Sequence, residues 1–255
     1  LKFTFSPMTL SPLRHIILCL SLSLLLISCG KKKQGATLFT KLDDTGIQFN
    51  NIVIDDSLEN SFYYRNYYNG GGAGIGDINN DKLPDIYFSG TFDRNRLYLN
   101  LGNMKFKDIT HQAGVDGGAG LKTGVTMADV NADGLLDIYV CKSGHFPNPA
   151  YRANALYINK GNMTFKEEGA LYGLQDISYS TQSYFADFDT DGDLDMFLVN
   201  HPLGWDKKHN LDASDDGYGN LKAIEDTTRF NVSDRLYINE NGRFTDRTVA
   251  YGVDN

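Results

Sequence analysis

The nine residues Asp187-Phe188-Asp189-Thr190-Asp191-Gly192-Asp193-Leu194-Asp195 place carboxylates at the first, third, fifth and ninth positions of one short segment. Alternate residues of a tight loop point the same way, so these side chains can converge on one hard cation. Ca²⁺ takes about six to eight oxygen ligands, and a glycine at the sixth position permits the sharp turn that such a loop needs. We therefore interpret the segment as a calcium-binding loop.

The same pattern occurs twice more, earlier in the chain. Clusters of Asp, Asn and Gly are common in ordinary turns, but turns alone do not explain an aspartate at the ninth position of all three copies. In the first copy Lys82 replaces the glycine, so we expect its left-handed turn to cost roughly 1 kcal/mol more. The candidate calcium ligands are Asp77, Asn79, Asp81 and Asp85; Asp129, Asn131, Asp133 and Asp137; and Asp187, Asp189, Asp191 and Asp195.

An EF-hand is the obvious alternative for this spacing. It requires a bidentate Glu at position 12 and a helix on each side of the loop. Position 12 is Phe88, Val140 or Leu198 here, and each loop lies between short runs rich in β-branched and aromatic residues. The pattern therefore predicts loops that join two strands.

A second signature follows each loop. Leu-Tyr-x-Asn occurs at 97–100, 156–159 and 236–239, followed by a hairpin turn and a strand that begins with phenylalanine. Each repeat thus predicts four short strands, and such a unit must stack on its neighbours to bury both faces. We expect an all-β fold of four-stranded blades of the β-propeller type, at about 70–116, 121–175 and 180–254.

The segment Phe39–Ile47 echoes the fourth-strand pattern of a phenylalanine, an acidic residue and a later glycine. We therefore expect about three blades plus one extra strand. Since propellers typically have about four to eight blades, this predicts an incomplete propeller whose exposed blade faces promote association.

These motifs resemble the FG-GAP/VCBS repeat family, whose blades also occur in integrin α-chains. Leu-Tyr-x-Asn, together with Phe-x-Asp-x-Thr at 106–110 and 244–248, is similar to bacterial VCBS-repeat lipoproteins that often carry a downstream ASPIC/UnbV module. The second repeat departs from the latter motif, with Glu167 for the aspartate and Gly169 for the threonine. The resemblance covers roughly 38–255 and implies calcium-binding propeller blades.

The first residues predict export. Arg14 and His15 precede an apolar stretch, Ile16–Ser28, that fits the core of a signal peptide and is short for a membrane span. Leu26–Gly30 resembles a lipobox, so we expect a lipoprotein signal peptide at 1–28, lipidation of Cys29 and a tether at 29–37; a plain signal peptide is the alternative. These features predict a lipid-anchored protein of the cell envelope, in the outer membrane and either periplasmic or surface-exposed. Cys141 would then lack a disulfide partner.

Charge and composition narrow the function classes. The formal net charge is −8, and the loops hold ten of the 32 acidic residues at ligand positions, so the acidity is local. No clustered basic face favours nucleic acid. The five histidines show no metal-binding spacing and no Gly-x-Ser-x-Gly motif is present, so we do not expect an enzyme.

The combined prediction is a calcium-binding cell-envelope lipoprotein module for protein adhesion. A polysaccharide ligand at the cell surface is the alternative, and an envelope enzyme built on a propeller is the third possibility. The third repeat also carries an insertion at about 201–233, and long loops on rigid scaffolds are often functional.

Overall fold

The structure is a computed structural model that describes residues 38–53, 55, 60–61, 64, 66–144, 146, 148–201 and 233–253. The expected signal peptide, Cys29 and almost all of the insertion at 201–233 lie outside these residues. The chain divides into two compact units, Leu1–Asp43 and Asp44–Asn255. In the described end of the first unit, Lys41 and Asp43 form an exposed ion pair of 3.4 Å. The sheets of the described residues all lie in the second unit.

Three antiparallel sheets of four strands each follow one another along the chain, and every sheet has its strands in sequence order. The predicted all-β fold with propeller-type blades is confirmed, and the three blades do not form a closed ring. The first blade consists of β1 Ala73–Gly76, β2 Asp85–Phe88, β3 Arg96–Asn100 and β4 Phe106–Asp108. The second consists of β5 Leu121–Ala128, β6 Asp137–Ser143, β7 Ala155–Asn159 and β8 Phe165–Glu167. The third consists of β9 Ser180–Ala186, β10 Asp195–Asn200, β11 Arg235–Asn239 and β12 Phe244–Asp246.

Short helical turns link the blades. After β4 comes α1, Thr110–Ala113, and after β8 comes α2, Gly169–Tyr172. A 3₁₀ turn, Pro149–Arg152, lies between β6 and β7. In the described part of the chain no helix is both long and apolar enough to cross a membrane.

The apolar cores lie between blades, because side chains alternate along each strand and both faces of the second sheet are covered. Ile138 and Val140 of β6 pack with Tyr87 and Leu97 of the first blade. Tyr139 of the same strand points the other way, into the core shared with the third blade. Each such buried side chain contributes about 1.5–3 kcal/mol. A single blade would leave these surfaces in water.

Close packing of the first strands depends on glycine. A Cβ on Gly72 would lie 2.7 Å from the carbonyl oxygen of Thr123, and a Cβ on Gly124 would lie 2.4 Å from that of Thr181. Both distances are shorter than real Cβ contacts, so any side chain would push the blades apart. The innermost strands of neighbouring blades can therefore approach through their backbones.

The residues just before the first blade pack against that blade. Among described residues 38–47 no strand is assigned, so the extra strand expected there does not form a ladder. The amide of Phe106 nevertheless donates to the carbonyl of Thr45, and Phe49 stacks on Phe88 with ring centroids 4.9 Å apart. Residues 44–49 thus cover the outer face of the first blade.

The segment that follows reaches all three blades at the end opposite the predicted calcium loops. The side chain of Asn51 donates to Thr91 Oγ1 at 2.8 Å. The hydroxyl of Tyr64 lies 2.9 Å from Ser143 Oγ and 2.7 Å from His201 Nε2. Thr91, Ser143 and His201 occupy equivalent places, six residues after the ninth position of each loop. The described parts of this segment therefore connect the three blades by hydrogen bonds at the end opposite the predicted calcium loops.

Candidate calcium site

The three acidic loops connect the first two strands of each blade and share one hydrogen-bond frame. In each loop the first-position carboxylate accepts the amides of the fifth and sixth positions. In the third loop these bonds to Asp187 measure 3.2 Å from Asp191 and 3.1 Å from Gly192. The fifth-position aspartate accepts the seventh-position amide, from Asp193 at 3.1 Å. Equivalent bonds occur around Asp77 and Asp129. The backbone is therefore shaped by carboxylates that point into the loop.

The ninth-position aspartates, Asp85, Asp137 and Asp195, are fully buried. One oxygen of each accepts the amide of the second loop residue, as Asp195 does from Phe188 at 2.8 Å. The other accepts the amide of an asparagine on the third strand, as Asp195 does from Asn239 at 2.8 Å. The sequence predicts that these residues are metal ligands, and the structure shows that they clamp each loop to the sheet.

The asparagine of Leu-Tyr-x-Asn completes this clamp. In the first blade the Asn100 side chain donates to the carbonyl of Pro84 at 2.9 Å and accepts the amide of Gly102 at 2.9 Å. Asn159 and Asn239 make the same two kinds of contact in the other blades. One residue thus joins the loop to the hairpin that follows the third strand. The recurrence of this asparagine after every loop was the feature of the sequence that could have indicated its role.

Two positions in each loop adopt left-handed backbone. The sixth does so as predicted, and Lys82 has φ +69° where the other loops have Gly134 at +87° and Gly192 at +102°. The fourth also does so, with Ala132 at +58° and Thr190 at +67°. The sequence reasoning missed the fourth position, because alanine and β-branched threonine give no signal for positive φ.

Three carboxylates of the third loop lie close enough together that they could hold one metal ion. Single carboxylate oxygens of Asp187, Asp189 and Asp195 lie within 4.8 Å of one another. Two ligands of one Ca²⁺ at about 2.4 Å cannot be more than about 4.8 Å apart, so the three oxygens fit a common ion. Asp191 of the same loop is not part of this group. Donor chemistry and spacing here could therefore hold a metal.

Asp193 adds negative charge at this site. It occupies the seventh position, where the other loops have Leu83 and Leu135. Its Oδ1 is buried and accepts no hydrogen bond from the described residues. Desolvation, followed by the charges of neighbouring aspartates, raises its pKa. A cation bound nearby would lower the free-energy cost of keeping Asp193 ionised.

The first and second loops have asparagine at the third position, so each offers three carboxylates. In both, the amide nitrogen of that asparagine donates to the fifth-position aspartate at 3.0 Å. The two loops also touch, because Asn80 Nδ2 donates to the carbonyl of Gly134 at 3.0 Å. The three loops are thus alike in frame, and the third has one more carboxylate at its ligand positions than the first two.

Burial acts on the ninth-position carboxylates of these two loops. Desolvation raises the pKa of Asp137 to about 6 and raises that of Asp85, while accepted backbone amides partly oppose the shift. The charges of the first- and fifth-position aspartates raise it further. A carboxylate held among like charges in a buried place is the setting in which a bound cation is favourable.

The chain carries an FG-GAP-like repeat, matched over residues 77–140. That range begins at the first acidic loop and ends in the second strand of the second blade. FG-GAP-like repeats commonly bind calcium, and their presence suggests an adhesion or interaction module.

Three curated relatives match part of the chain. Cartilage acidic protein 1 from Xenopus tropicalis is 28% identical over 167 residues, which is 65% of this chain and 25% of that protein. The Mus musculus and Homo sapiens proteins of the same name are 31% and 30% identical over 139 residues, or 52% of this chain and 20% of theirs. The chain therefore spans about a quarter or less of the length of these relatives.

Proposed function

We propose that this protein is a calcium-binding interaction module in which the metal stiffens blades that contact a protein partner. The convergence of Asp187, Asp189 and Asp195 is the observation that carries the proposal. The FG-GAP-like match supports it independently. Loops that close on a cation hold the two strands they join, so metal and blade order are coupled.

The residues that would hold Ca²⁺ in the third loop are the three clustered aspartates, with Asp191 as a further carboxylate beside them. When bound, the ion would neutralise like charges that otherwise repel across the loop. Asp195 would connect the site to the sheet, since its oxygens already accept the amides of Phe188 and Asn239. Each carboxylate oxygen has a second lone pair, so both roles are compatible.

Calorimetric titration of the metal-free protein with Ca²⁺ tests the proposal directly. We expect the third loop to bind most tightly, the second next and the first least, because ligand charge and loop rigidity set affinity. Chelation should lower the melting temperature. Mg²⁺, which demands a near-octahedral shell, is the matched control and should bind more weakly. If Ca²⁺ neither binds nor changes the melting temperature, the loops are structural turns.

A protein is the proposed partner. Affinity capture from envelope extracts, in parallel with calcium and with chelator, should recover a protein that is lost when calcium is removed. A glycan array run with the same two samples distinguishes a polysaccharide ligand. Binding to glycans without any captured protein would favour the polysaccharide alternative.

We also propose that the module is a lipid-anchored envelope protein like the VCBS-repeat lipoproteins. This rests on the Leu26–Cys29 lipobox that follows an apolar stretch. A cysteine that carries more than one acyl chain anchors a protein stably, whereas a single short chain does not. Cys29→Ala should abolish incorporation of labelled fatty acid. Cys141→Ala, at the buried cysteine of β6, is the control and should leave it intact. Equal labelling of the Cys29 variant and the unaltered protein would refute the anchor.

A further inference from the structure

Two lysines are buried side by side in the second blade, at the end opposite the acidic loops. Lys122 of β5 and Lys142 of β6 are partners across the antiparallel ladder, so their side chains leave the same face of the sheet. Lys122 is fully buried and Lys142 is 9% exposed. Lysine is almost never buried to this extent unless an opposite charge pairs with it. Packing alone therefore does not explain the pair.

No counter-charge of the described residues pairs with these two ammonium groups. None of the ion pairs in that part of the chain includes either lysine. Lys122 Nζ donates instead to the carbonyl of Gly118 at 3.1 Å, and Lys142 Nζ to that of Ala119 at 3.4 Å. An ammonium group has three N–H donors, so each lysine keeps donors for another acceptor. Because the two carbonyls are consecutive in the chain, both ammonium groups lie beside the same short loop.

The charge at this position is specific to the second blade. The amides of Gly90, Lys142 and Asn200 each donate to a side-chain oxygen just before the third strand, at 3.1, 2.6 and 2.8 Å, so the three residues are equivalent. In the third blade the partner of Asn200 across the ladder is Ser180, and both are buried. The fold therefore accepts a neutral pair here, and the two lysines are not required to build a blade.

An exposed, glycine-rich loop covers the two ammonium groups. Gly118 and Ala119, whose carbonyls accept from the lysines, are both exposed. Gly117, Gly118 and Gly120 have φ of +92°, +60° and +106°. Glycine adopts either sign of φ at little cost, so these peptide groups can turn when a stronger acceptor than a carbonyl arrives. This loop is the route by which a small ligand would reach the lysines.

We propose that Lys122 and Lys142 form a binding site for a small tetrahedral dianion of the sulfate or phosphate type. Two positive charges match the charge of such an ion, and the N–H donors that the lysines keep match its oxygen acceptors. A dianion also supplies the full charge interaction that the carbonyls of Gly118 and Ala119 lack. The site is separate from the acidic loops and does not rest on the proposed calcium binding.

The electrostatics of the pair support this assignment. Burial is the main cause that lowers the pKa of both lysines, and the charge of Lys142 lowers the pKa of Lys122 further. Asp93 opposes the shift of Lys122, and Glu167 opposes that of Lys142. An opposite charge within a few ångströms raises the pKa of a lysine, so a bound dianion would hold both ammonium groups protonated.

Calorimetric titration of the full chain with sodium sulfate, in sodium chloride at constant ionic strength, tests the site. We expect one sulfate to bind per chain. At a sulfate concentration of ten times the dissociation constant, the melting temperature should rise by roughly 3–6 °C. Both results should be the same with calcium and with chelator, so this proposal and that of calcium binding can fail separately. Sodium phosphate, added in chelator, is the second probe, and the order of the two affinities identifies the preferred ion.

Lys122→Met and Lys142→Met are the specific variants, because methionine keeps much of the buried volume and removes the charge. Each should weaken sulfate binding at least tenfold and lose the rise in melting temperature. In chloride alone each should be at least as stable as the unaltered protein, since an unpaired buried charge is removed. Lys107→Met is the matched control, because Lys107 is exposed on β4 and should leave the sulfate response intact.

A double variant keeps the test decisive if a methionine is poorly accommodated. Lys122→Ser combined with Lys142→Asn installs the neutral pair that the third blade already buries as Ser180 and Asn200. This variant should fold and should not respond to sulfate.

Three outcomes would overturn the proposal. If sulfate and phosphate neither bind nor change the melting temperature, the lysines do not form an anion site. If the lysine variants respond to sulfate as the unaltered protein does, the effect is the general exclusion of sulfate from protein surfaces. If the methionine variants and the double variant all unfold more easily in chloride, the lysines stabilise the fold through their carbonyl contacts and need no anion.

Discussion

The first and third loops share a backbone frame and differ at one ligand position and at the turn residue. Both fold their first carboxylate onto the amides of the fifth and sixth positions and clamp a buried ninth aspartate to the third strand. The third loop has four carboxylates at ligand positions and Gly192 at its turn, whereas the first has three and Lys82. Loop shape therefore depends on the hydrogen bonds, and cation affinity can vary independently of it.

The largest expected effect comes from removing the ninth-position aspartate, which attaches both loops to the sheet. Asp195→Ala leaves two amides without acceptors, the part-buried amide of Phe188 and the buried amide of Asn239. An unsatisfied buried donor costs about 1–3 kcal/mol, so we expect the free energy of unfolding to fall by roughly 2–5 kcal/mol even in chelator. Asp85→Ala should cost a similar amount, although its loop is the weaker calcium site. Chemical denaturation in chelator measures both.

Asp195→Asn is the control for this experiment, since it keeps one acceptor oxygen and loses the charge. In chelator it should cost less than Asp195→Ala. If both alanine variants unfold like the unaltered protein in chelator, then the ninth aspartates serve the metal alone and the shared frame is not a source of stability.

The next prediction reverses the difference in ligand charge between the first and third loops. Asp189→Asn gives the third loop the three carboxylates of the first, and Asn79→Asp gives the first loop four. Because ligand charge tunes calcium affinity, we expect the dissociation constant to rise about tenfold in the former and fall about tenfold in the latter. Calorimetric titration measures the change, with Asn131→Asp in the second loop as a matched control. If the calcium affinities do not follow the number of carboxylates, then loop rigidity, to which the left-handed backbone of Thr190 contributes, determines affinity more than charge does.

A smaller effect concerns the turn. Lys82→Gly should raise the free energy of unfolding by about 1 kcal/mol, because a side chain in left-handed backbone costs roughly that much. Gly192→Lys should lower it by a similar amount or more. No heavy atom of the described residues lies within 4 Å of the Gly192 Cβ position, so its cost would come from backbone conformation and not from a clash. Both changes should appear in chelator as well as in calcium. An effect confined to calcium would show that the strain acts only on the bound state.

The sequence predicted the loops, the strands beside them and the stacking of the blades, because these depend on patterns of two to nine residues. It treated Glu167 and Gly169 as a departure from Phe-x-Asp-x-Thr. In the first blade Thr110 Oγ1 accepts the amide of Leu97 at 2.8 Å, and Asp108 in turn accepts from Thr110. In the second blade Glu167 reaches further and itself accepts the amides of Leu156 and Gly169. A Cβ on residue 169 would be 2.9 Å from the Glu167 oxygen, so the two substitutions compensate each other.

Contacts distant in sequence could not be predicted in this way. Tyr64 meets His201 across 137 residues, and neither residue belongs to a repeat motif that would pair them. The same holds for the buried pair Lys122 and Lys142, which are opposite each other on β5 and β6. Burial, with Lys142 nearby, lowers the pKa of Lys122 to about 8. The tyrosine–histidine contact depends on how the segment before the first blade meets the third blade, and the lysine pair depends on strand pairing at the end of the second blade. The repeat motifs encode neither.

The smallest expected effect concerns the contact between neighbouring loops. Asn80 and Ala132 hold the fourth position of the first two loops in left-handed backbone, and only Asn80 donates to the adjacent loop, at Gly134. Asn80→Gly and Ala132→Gly both ease the backbone, the former by less because asparagine tolerates left-handed backbone better than alanine, and only Asn80→Gly also removes that bond. An exposed neutral hydrogen bond contributes about 0.5 kcal/mol, and we expect Asn80→Gly to be less stable than Ala132→Gly by roughly that amount. Denaturation in chelator measures it. Equal stabilities would mean that the first and second loops fold without assistance from each other, and that the differences between loops reside within each loop.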